Sequence, residues 1–269
     1  MSLPAHLVDH CFVNVPYARL KTDLLGVVLE NRLRPEIGLV NNVLYDEPVS
    51  EFTKIAKLLQ KEGLACTLHA PFQDLIPSAQ DPEILKASRH KLQKAFALLE
   101  IFEPLAIVCH PNFEPDKHAS KEEQWFSQSY ETWHELLQIA EGCKVPMMLE
   151  NTYEKSPDQL RRLLQALDSP YARFCFDVGH VLAFAKNTWQ DWLPALEPWL
   201  GQVHLHDNDG ASDAHLGVGE GTFKFEELFK YLQKQQLSPI ITLEPHREEE
   251  LWRGFANIDR MGLFDYCAK

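Results

Sequence analysis

The sequence predicts an α/β fold of one kind, a single (β/α)8 TIM barrel occupying residues 1–269 as one domain. Six apolar runs each end in an acid or a histidine, in the order His69, His110, Glu150, Asp177, His204 and Glu244. They recur 41, 40, 27, 27 and 40 residues apart, as they would if parallel strands aimed their C-terminal ends at one site. Strand-like and helix-like patterns also alternate eight times along the chain, and eight βα units predict closure. The length of 269 residues suits one such barrel, typically about 250 residues.

The elements follow in order. Residues 8–15 (VDHCFVNV) read as the first strand, followed by a helix over 17–32 with Leu20, Leu24 and Val27 on one face. Residues 34–41 give the second strand. Phe52, Ile55, Ala56 and Leu59 recur at helical spacing over 50–62, and Gly63 stops that helix. The third strand is 65–70, a helix covers 81–102, and the fourth strand is 105–110. A helix over 121–141 leads to the fifth strand at 145–150. The next helix opens with Ser156 as its cap and Pro157 at its first position. The sixth strand is 172–177, a tryptophan-rich helix spans 188–199, and the seventh strand is 201–206. The FEELFKYLQKQQ helix, a strand at 240–244 and a helix over 247–260 complete the fold. Long loops at 71–80, 111–120 and 207–223 lie next to the strand-end residues, where barrel active sites are built.

Composition narrows the function classes. No run reaches the roughly 18 apolar residues that span a bilayer. The opening MSLPAHLVDHCF lacks a basic start and a long apolar stretch, so export is not expected. The six cysteines form no CxxC pair, and Cys66, Cys109 and Cys175 fall inside apolar strands, as expected of reduced thiols in a cytoplasmic protein. A net charge of −13 disfavours unspecific phosphate-backbone binding. Nucleic acid is therefore the less expected partner and a membrane is not expected, while barrel helices could pair in a homo-oligomer.

The strand-end residues offer oxygen and imidazole nitrogen, a donor set suited to zinc or manganese and compatible with magnesium. A carboxylate ending a buried strand is costly unless paired or metal-bound, which singles out Glu150 and Glu244. His180, Asp213 and His215 lie near the six in sequence, and nine candidates exceed the coordination of one ion. One to three divalent ions are therefore expected. His206 and His246 are candidate substrate contacts, Phe72 a pocket wall. His6, His10, His90, His118 and His134 read as ordinary surface or loop residues. Trp189, Trp192 and Trp199 read as core, and Glu248 to Glu250 as a solvated helix start.

The motifs LHAPF (68–72), CHPNF (109–113), LENT (149–152), FDVGH (176–180), HLHDND (204–209), DAHLGVGEG (213–221) and LEPH (243–246), taken as an ordered set, resemble the xylose isomerase-like TIM-barrel superfamily. That group holds sugar and sugar-phosphate isomerases and epimerases, and the endonuclease IV type of abasic-site enzyme. For the epimerase branch the resemblance implies one divalent ion on Glu150, Asp177, His204 and Glu244, with the two glutamates exchanging protons on opposite faces of a carbon. It also implies that His180 binds substrate. For the endonuclease IV branch it implies three zinc ions on those four residues plus His69, His110, His180, Asp213 and His215. All nine are present.

Departures favour the first branch. The glycine-rich loop after LENT is replaced by Tyr153 to Pro157, Ala214 stands where an arginine is usual, and no Lys or Arg occurs between 201 and 223. The expected function is divalent-metal-dependent isomerisation or epimerisation of a small sugar or sugar phosphate, with Glu150 and Glu244 catalytic. The alternative is a di- or trinuclear zinc phosphodiesterase.

Overall fold

The computed structural model describes residues 5–266, in which eight parallel strands close into a ring in sequence order. They are β1 (Phe12–Pro16), β2 (Arg34–Gly38), β3 (Thr67–His69), β4 (Ile107–Cys109), β5 (Met147–Glu150), β6 (Ala172–Asp177), β7 (Leu200–Leu205) and β8 (Ile240–Leu243). Pairing of Phe12 with Thr242 and Val13 with Leu243 shuts the barrel. The start of the opening segment (residues 1–4) and Cys267 lie outside the described residues.

All eight expected strands are present; six are shorter than expected, β6 has the expected bounds and β7 is shifted one residue toward the N-terminus. β1 starts at Phe12 because Ala5–Val8 is a helical turn. β4 ends at Cys109, so His110 stands just beyond the ladder. The helix expected over 17–32 is two pieces, Tyr17–Leu20 and Leu25–Glu30. Between them the Thr22 hydroxyl donates to the Ala18 carbonyl at 2.8 Å, a local bond that competes with helix propagation. The helix expected over 81–102 divides into Pro82–Phe96 and Leu99–Phe102, and ends on Glu103 in the left-handed region (φ 46°). Ser156 does not cap its helix, which begins at Asp158 behind Pro157. Its hydroxyl donates to the Asp158 carboxylate at 2.9 Å.

Helix faces follow the apolar spacing. Val49–Lys61 buries Phe52, Ile55, Ala56 and Leu59 against the barrel, the larger of these side chains contributing about 1.5–3 kcal/mol each. Trp189 and Trp192 are buried, and Trp199 packs partly buried on the same core. Glu250 departs from the expected solvated helix start: it is buried and accepts from the Arg247 backbone N–H at 2.9 Å and from its guanidinium. The five described cysteines are free thiols, and no described helix is long and apolar enough to cross a membrane.

Register sets the site. Asp177 pairs with His204 and Glu150 with Cys175, so the acids and imidazoles of adjacent strands reach the same height at the C-terminal rim. Beneath them lies a buried polar layer, Glu36, Thr67, Gln202 and Thr242. A separate apolar cluster of Ala106, Val108, Met148 and Cys175 completes the interior.

Candidate metal centre and its cavity

His204, near the end of β7, is the centre of the floor. Its Nε2 faces Glu36 Oε1 at 3.2 Å. Its Nδ1 is buried without a hydrogen-bond partner and lies 3.2 Å from Glu244 Oε1, 3.5 Å from Glu150 Oε2 and 3.8 Å from Asp177 Oδ2. Two further groups flank this one. His69 and His110 aim Nε2 at Glu150 Oε2, at 3.3 and 3.1 Å. On the other side Asp213 Oδ2 lies 3.4 Å from His180 Nε2 and 3.1 Å from His215 Nε2. All nine residues singled out in the sequence therefore converge, in three groups that share Glu150 or adjoin it.

The local chain explains the placement. Asp177 ends β6 and caps the helix Val178–Phe184 with no intervening loop, its Oδ1 accepting from the His180 N–H at 2.6 Å. Its backbone is clamped by Asn151, which donates to the Asp177 carbonyl and accepts from the Asp177 N–H, both at 2.9 Å. His215 adopts φ 48°, a region uncommon for a non-glycine residue, which turns its ring back to the site.

His206, expected to touch substrate, does not reach the cavity. It is buried (1 % exposed) outside the cavity lining, where Nε2 lies 2.9 and 3.0 Å from the two Asp177 oxygens. Alternation along β7 put it on the face of His204, but the strand ends at Leu205 and the chain turns. Gly179 makes room for this ring, since a Cβ there would collide with His206 Cε1. The ring stacks on His215 at 3.8 Å, and His215 stacks on His246 at 4.0 Å. His246 is exposed on the cavity lip, and Phe72 lines the wall, stacked on His110 at 4.5 Å.

Four residues escaped the sequence reading. Glu36 lies on β2 and is fully buried, accepting from Thr67 Oγ1 at 3.0 Å, Asn14 Nδ2 at 3.2 Å, Thr242 Oγ1 at 3.3 Å and Gln202 Nε2. The desolvation argument used for Glu150 would have flagged it inside the run RPEIGL. Asn151 and Asp207 act on backbone. Asp207 accepts from the N–H groups of Asn208 (2.9 Å), Gly221 (2.8 Å) and Phe223 (3.1 Å), and so ties down the long loop after β7.

The fourth, Glu154, joins two loops by accepting from the N–H groups of Thr152 at 2.6 Å and Phe113 at 3.3 Å. Burial pushes its carboxyl up to about 7 from 4.5, against the pull of those N–H groups. A raised acid keeps its proton in the folded state after the unfolded chain has lost it. The associated stability is complete below about pH 4.5 and is lost as pH rises through 7. The difference in unfolding free energy between the wild type and Glu154→Gln is expected to change by about 3 kcal/mol across that window. Urea melts of both proteins at pH 5 and pH 8 measure it, and parallel pH profiles would refute the assignment.

The donor set fits a divalent metal. Burial penalises the Glu150 carboxylate, yet the imidazoles of His110 and His204 hold it well below the usual range. Burial likewise opposes protonation of His204, but Cys175, Glu244, Glu36 and Glu150 raise its pKa well above the ordinary value. A cation belongs where so many buried acids meet. Tetrahedral ligands at 2.0–2.2 Å from one zinc sit about 3.3–3.6 Å apart, the range in which the Glu244 and Glu150 oxygens stand from the unpartnered His204 Nδ1, with Asp177 slightly farther at 3.8 Å. Glu150 Oε1 is a second buried atom with no hydrogen-bond partner.

Above the floor opens a cavity of about 990 Å³. Glu150, Glu244, His69, His110, His180, Asp213 and His215 face it from below, and the loops after β3, β4 and β5 together with the helix after β6 form much of its wall.

Residues 34–259 match the family described as xylose isomerase-like TIM barrel. Over 201 residues the chain is 26% identical to the uncharacterized protein MJ1311 of Methanocaldococcus jannaschii, covering 71% of this chain and 67% of that protein. Among solved structures it is similar to a D-tagatose 3-epimerase-like protein (TM-score 0.80, 20% identity, 93% and 96% of the two chains). It is also similar to the TTHB071 protein from Thermus thermophilus soaked with ZnCl2 (TM-score 0.78, 20% identity, 94% and 97%). A third is 3-keto-D-glucoside 4-epimerase, YcjR, from E. coli (TM-score 0.74, 14% identity, 94% and 98%). At these identities the solved structures speak for the fold, whereas the family match spans most of the sequence. The chain belongs to the xylose isomerase-like TIM-barrel family.

Proposed function

We propose that the protein is a divalent-metal-dependent isomerase or epimerase of a small sugar or sugar derivative. The observation that carries this reading is the His204 Nδ1, buried and unpartnered among Glu150, Asp177 and Glu244 at the floor of an open cavity. These four residues would hold one zinc, manganese or magnesium ion. When bound, such an ion supplies Lewis-acid polarisation of carbonyl and hydroxyl oxygens. Glu150 and Glu244 come from opposite sides of the barrel, on β5 and just after β8, and both face the cavity. Each can take or return a proton at a carbon held above the floor, the work that inversion or carbonyl migration requires. His180 and His246, which line the cavity, would bind hydroxyls, and Phe72 would cover a face of the ring. The epimerase neighbours agree with this assignment.

A second reading, phosphoester hydrolysis at two or three zinc ions, is favoured by one observation: His180, His206, Asp213 and His215 form a donor group of their own beside the first. Against it, Lys117 is the one lysine or arginine among the described residues lining the cavity, and a polyanion needs several. Elemental mass spectrometry on protein purified without a metal-affinity column separates the two. One divalent ion per chain is expected, together with solvent-deuterium incorporation into a ketose from a panel of ketoses and ketose phosphates. Two or three zinc ions with cleavage of an abasic duplex or a small phosphodiester, and no exchange into any sugar, would overturn it.

A further inference from the structure

The cavity is far larger than its floor requires. A free hexose has about twelve non-hydrogen atoms, while sites of roughly 300–1,000 Å³ enclose drug-sized ligands. At about 990 Å³ this cavity stands at the top of that range. The spare room has a definite chemistry. Seven large apolar side chains are exposed among the described residues, and Ile76, Ile84 and Tyr153, at 41%, 45% and 43% exposure, all line this one cavity. Leu75 stands beside Ile76, and Tyr153 meets Phe184 with ring centroids 5.1 Å apart. Apolar surface costs free energy in water, and its concentration on one rim marks a place where a ligand covers it.

The charges exclude the common alternative. Besides the floor residues, the charged groups on the lining are Asp74, Glu114 and Lys117, and the Lys117 ammonium is held by Glu114 at 2.7 Å. A phosphate monoester binds through guanidinium forks, ammonium groups or clustered N–H donors. Here it would meet two carboxylates and an ammonium already paired.

We propose, on the footing of the sugar-isomerase reading, that the substrate is an uncharged sugar that bears an apolar or aromatic substituent and keeps a carbonyl beside the carbon whose proton is exchanged. The sugar lies over the acid and imidazole floor and the substituent lies against Ile76, Ile84, Tyr153 and Phe184. The wall thus selects substituted keto-sugars over sugar phosphates through residues outside the donor set, and simple glycosides serve as non-reacting probes of that wall.

Calorimetric titration of the manganese-loaded protein tests this with methyl and phenyl glycosides of glucose, galactose and mannose, and with the three hexose 6-phosphates. For at least one sugar the phenyl glycoside is expected to bind tenfold or more tightly than the methyl glycoside, and the phosphate no more tightly than the methyl glycoside. The double variant I76S/I84S is expected to remove the phenyl advantage while leaving methyl glycoside affinity and metal content unchanged. Tighter binding of a phosphate, equal affinity for phenyl and methyl forms, no phenyl glycoside binding at all, or a phenyl advantage that survives in the double variant would each overturn the proposal. Solvent-deuterium exchange into ketoses is read separately. Exchange without a phenyl gain refutes the apolar subsite and keeps the isomerase reading, and a phenyl gain without exchange does the reverse.

Discussion

Replacing Glu150 with glutamine is expected to lower divalent-metal affinity by at least about 100-fold and to remove turnover. Perturbing a residue that merely supports a ligand typically costs about 10–100-fold, and Glu150 stands within 3.5 Å of His69, His110, His180 and His204 at once. A glutamine has the same shape but presents an amide N–H2 to imidazoles that now face an acceptor. It also removes the negative charge that draws a cation to this point. Elemental analysis after dialysis reports the metal, and circular dichroism shows whether the barrel is intact. A folded Glu150→Gln protein with full metal content and full activity would show that the centre lies elsewhere.

The Glu36→Gln variant is expected to weaken metal binding about 10–100-fold and to destabilise the fold by about 1–3 kcal/mol. Glu36 touches no cavity; it acts through His204. With its carboxylate 3.2 Å from His204 Nε2, Glu36 favours a hydrogen on that nitrogen, so that a cation bound among Glu244, Glu150 and Asp177 would meet the lone pair of Nδ1. A glutamine turns one acceptor into a donor amid Thr67, Thr242, Gln202 and Asn14, which already supply the donors. Metal titration and urea unfolding read the two effects separately. Unchanged metal affinity would mean that packing alone sets the imidazole.

The strand-end residues were legible in the sequence because a parallel barrel obliges each strand to deliver one side chain to the same rim, and the chemistry of those side chains is unusual enough to repeat visibly. The register pair Asp177 and His204 is that rule in the folded state. His206 misled because alternation holds only while the ladder lasts, and β7 ends one residue earlier. Glu36 and Glu154 stayed hidden for another reason. Their partners come from β1, β3, β7 and β8 in one case and from two loops in the other, contacts that no local pattern encodes. Element bounds slipped where a side chain competed with the backbone, as at Thr22 and Ser156.

The junction at Asp177 joins the floor to the wall. One carboxylate oxygen holds the first turn of Val178–Phe184, the other faces His204, and Phe184 at the far end of that short helix belongs to the apolar wall. A cation drawing on Asp177 therefore changes the anchorage of the helix that carries Phe184. By thermodynamic reciprocity, whatever steadies Phe184 alters the hold of Asp177 on the cation by the same factor. If the proposed ion and sugar both bind, this helix is expected to link them, so that each would alter the affinity of the barrel for the other.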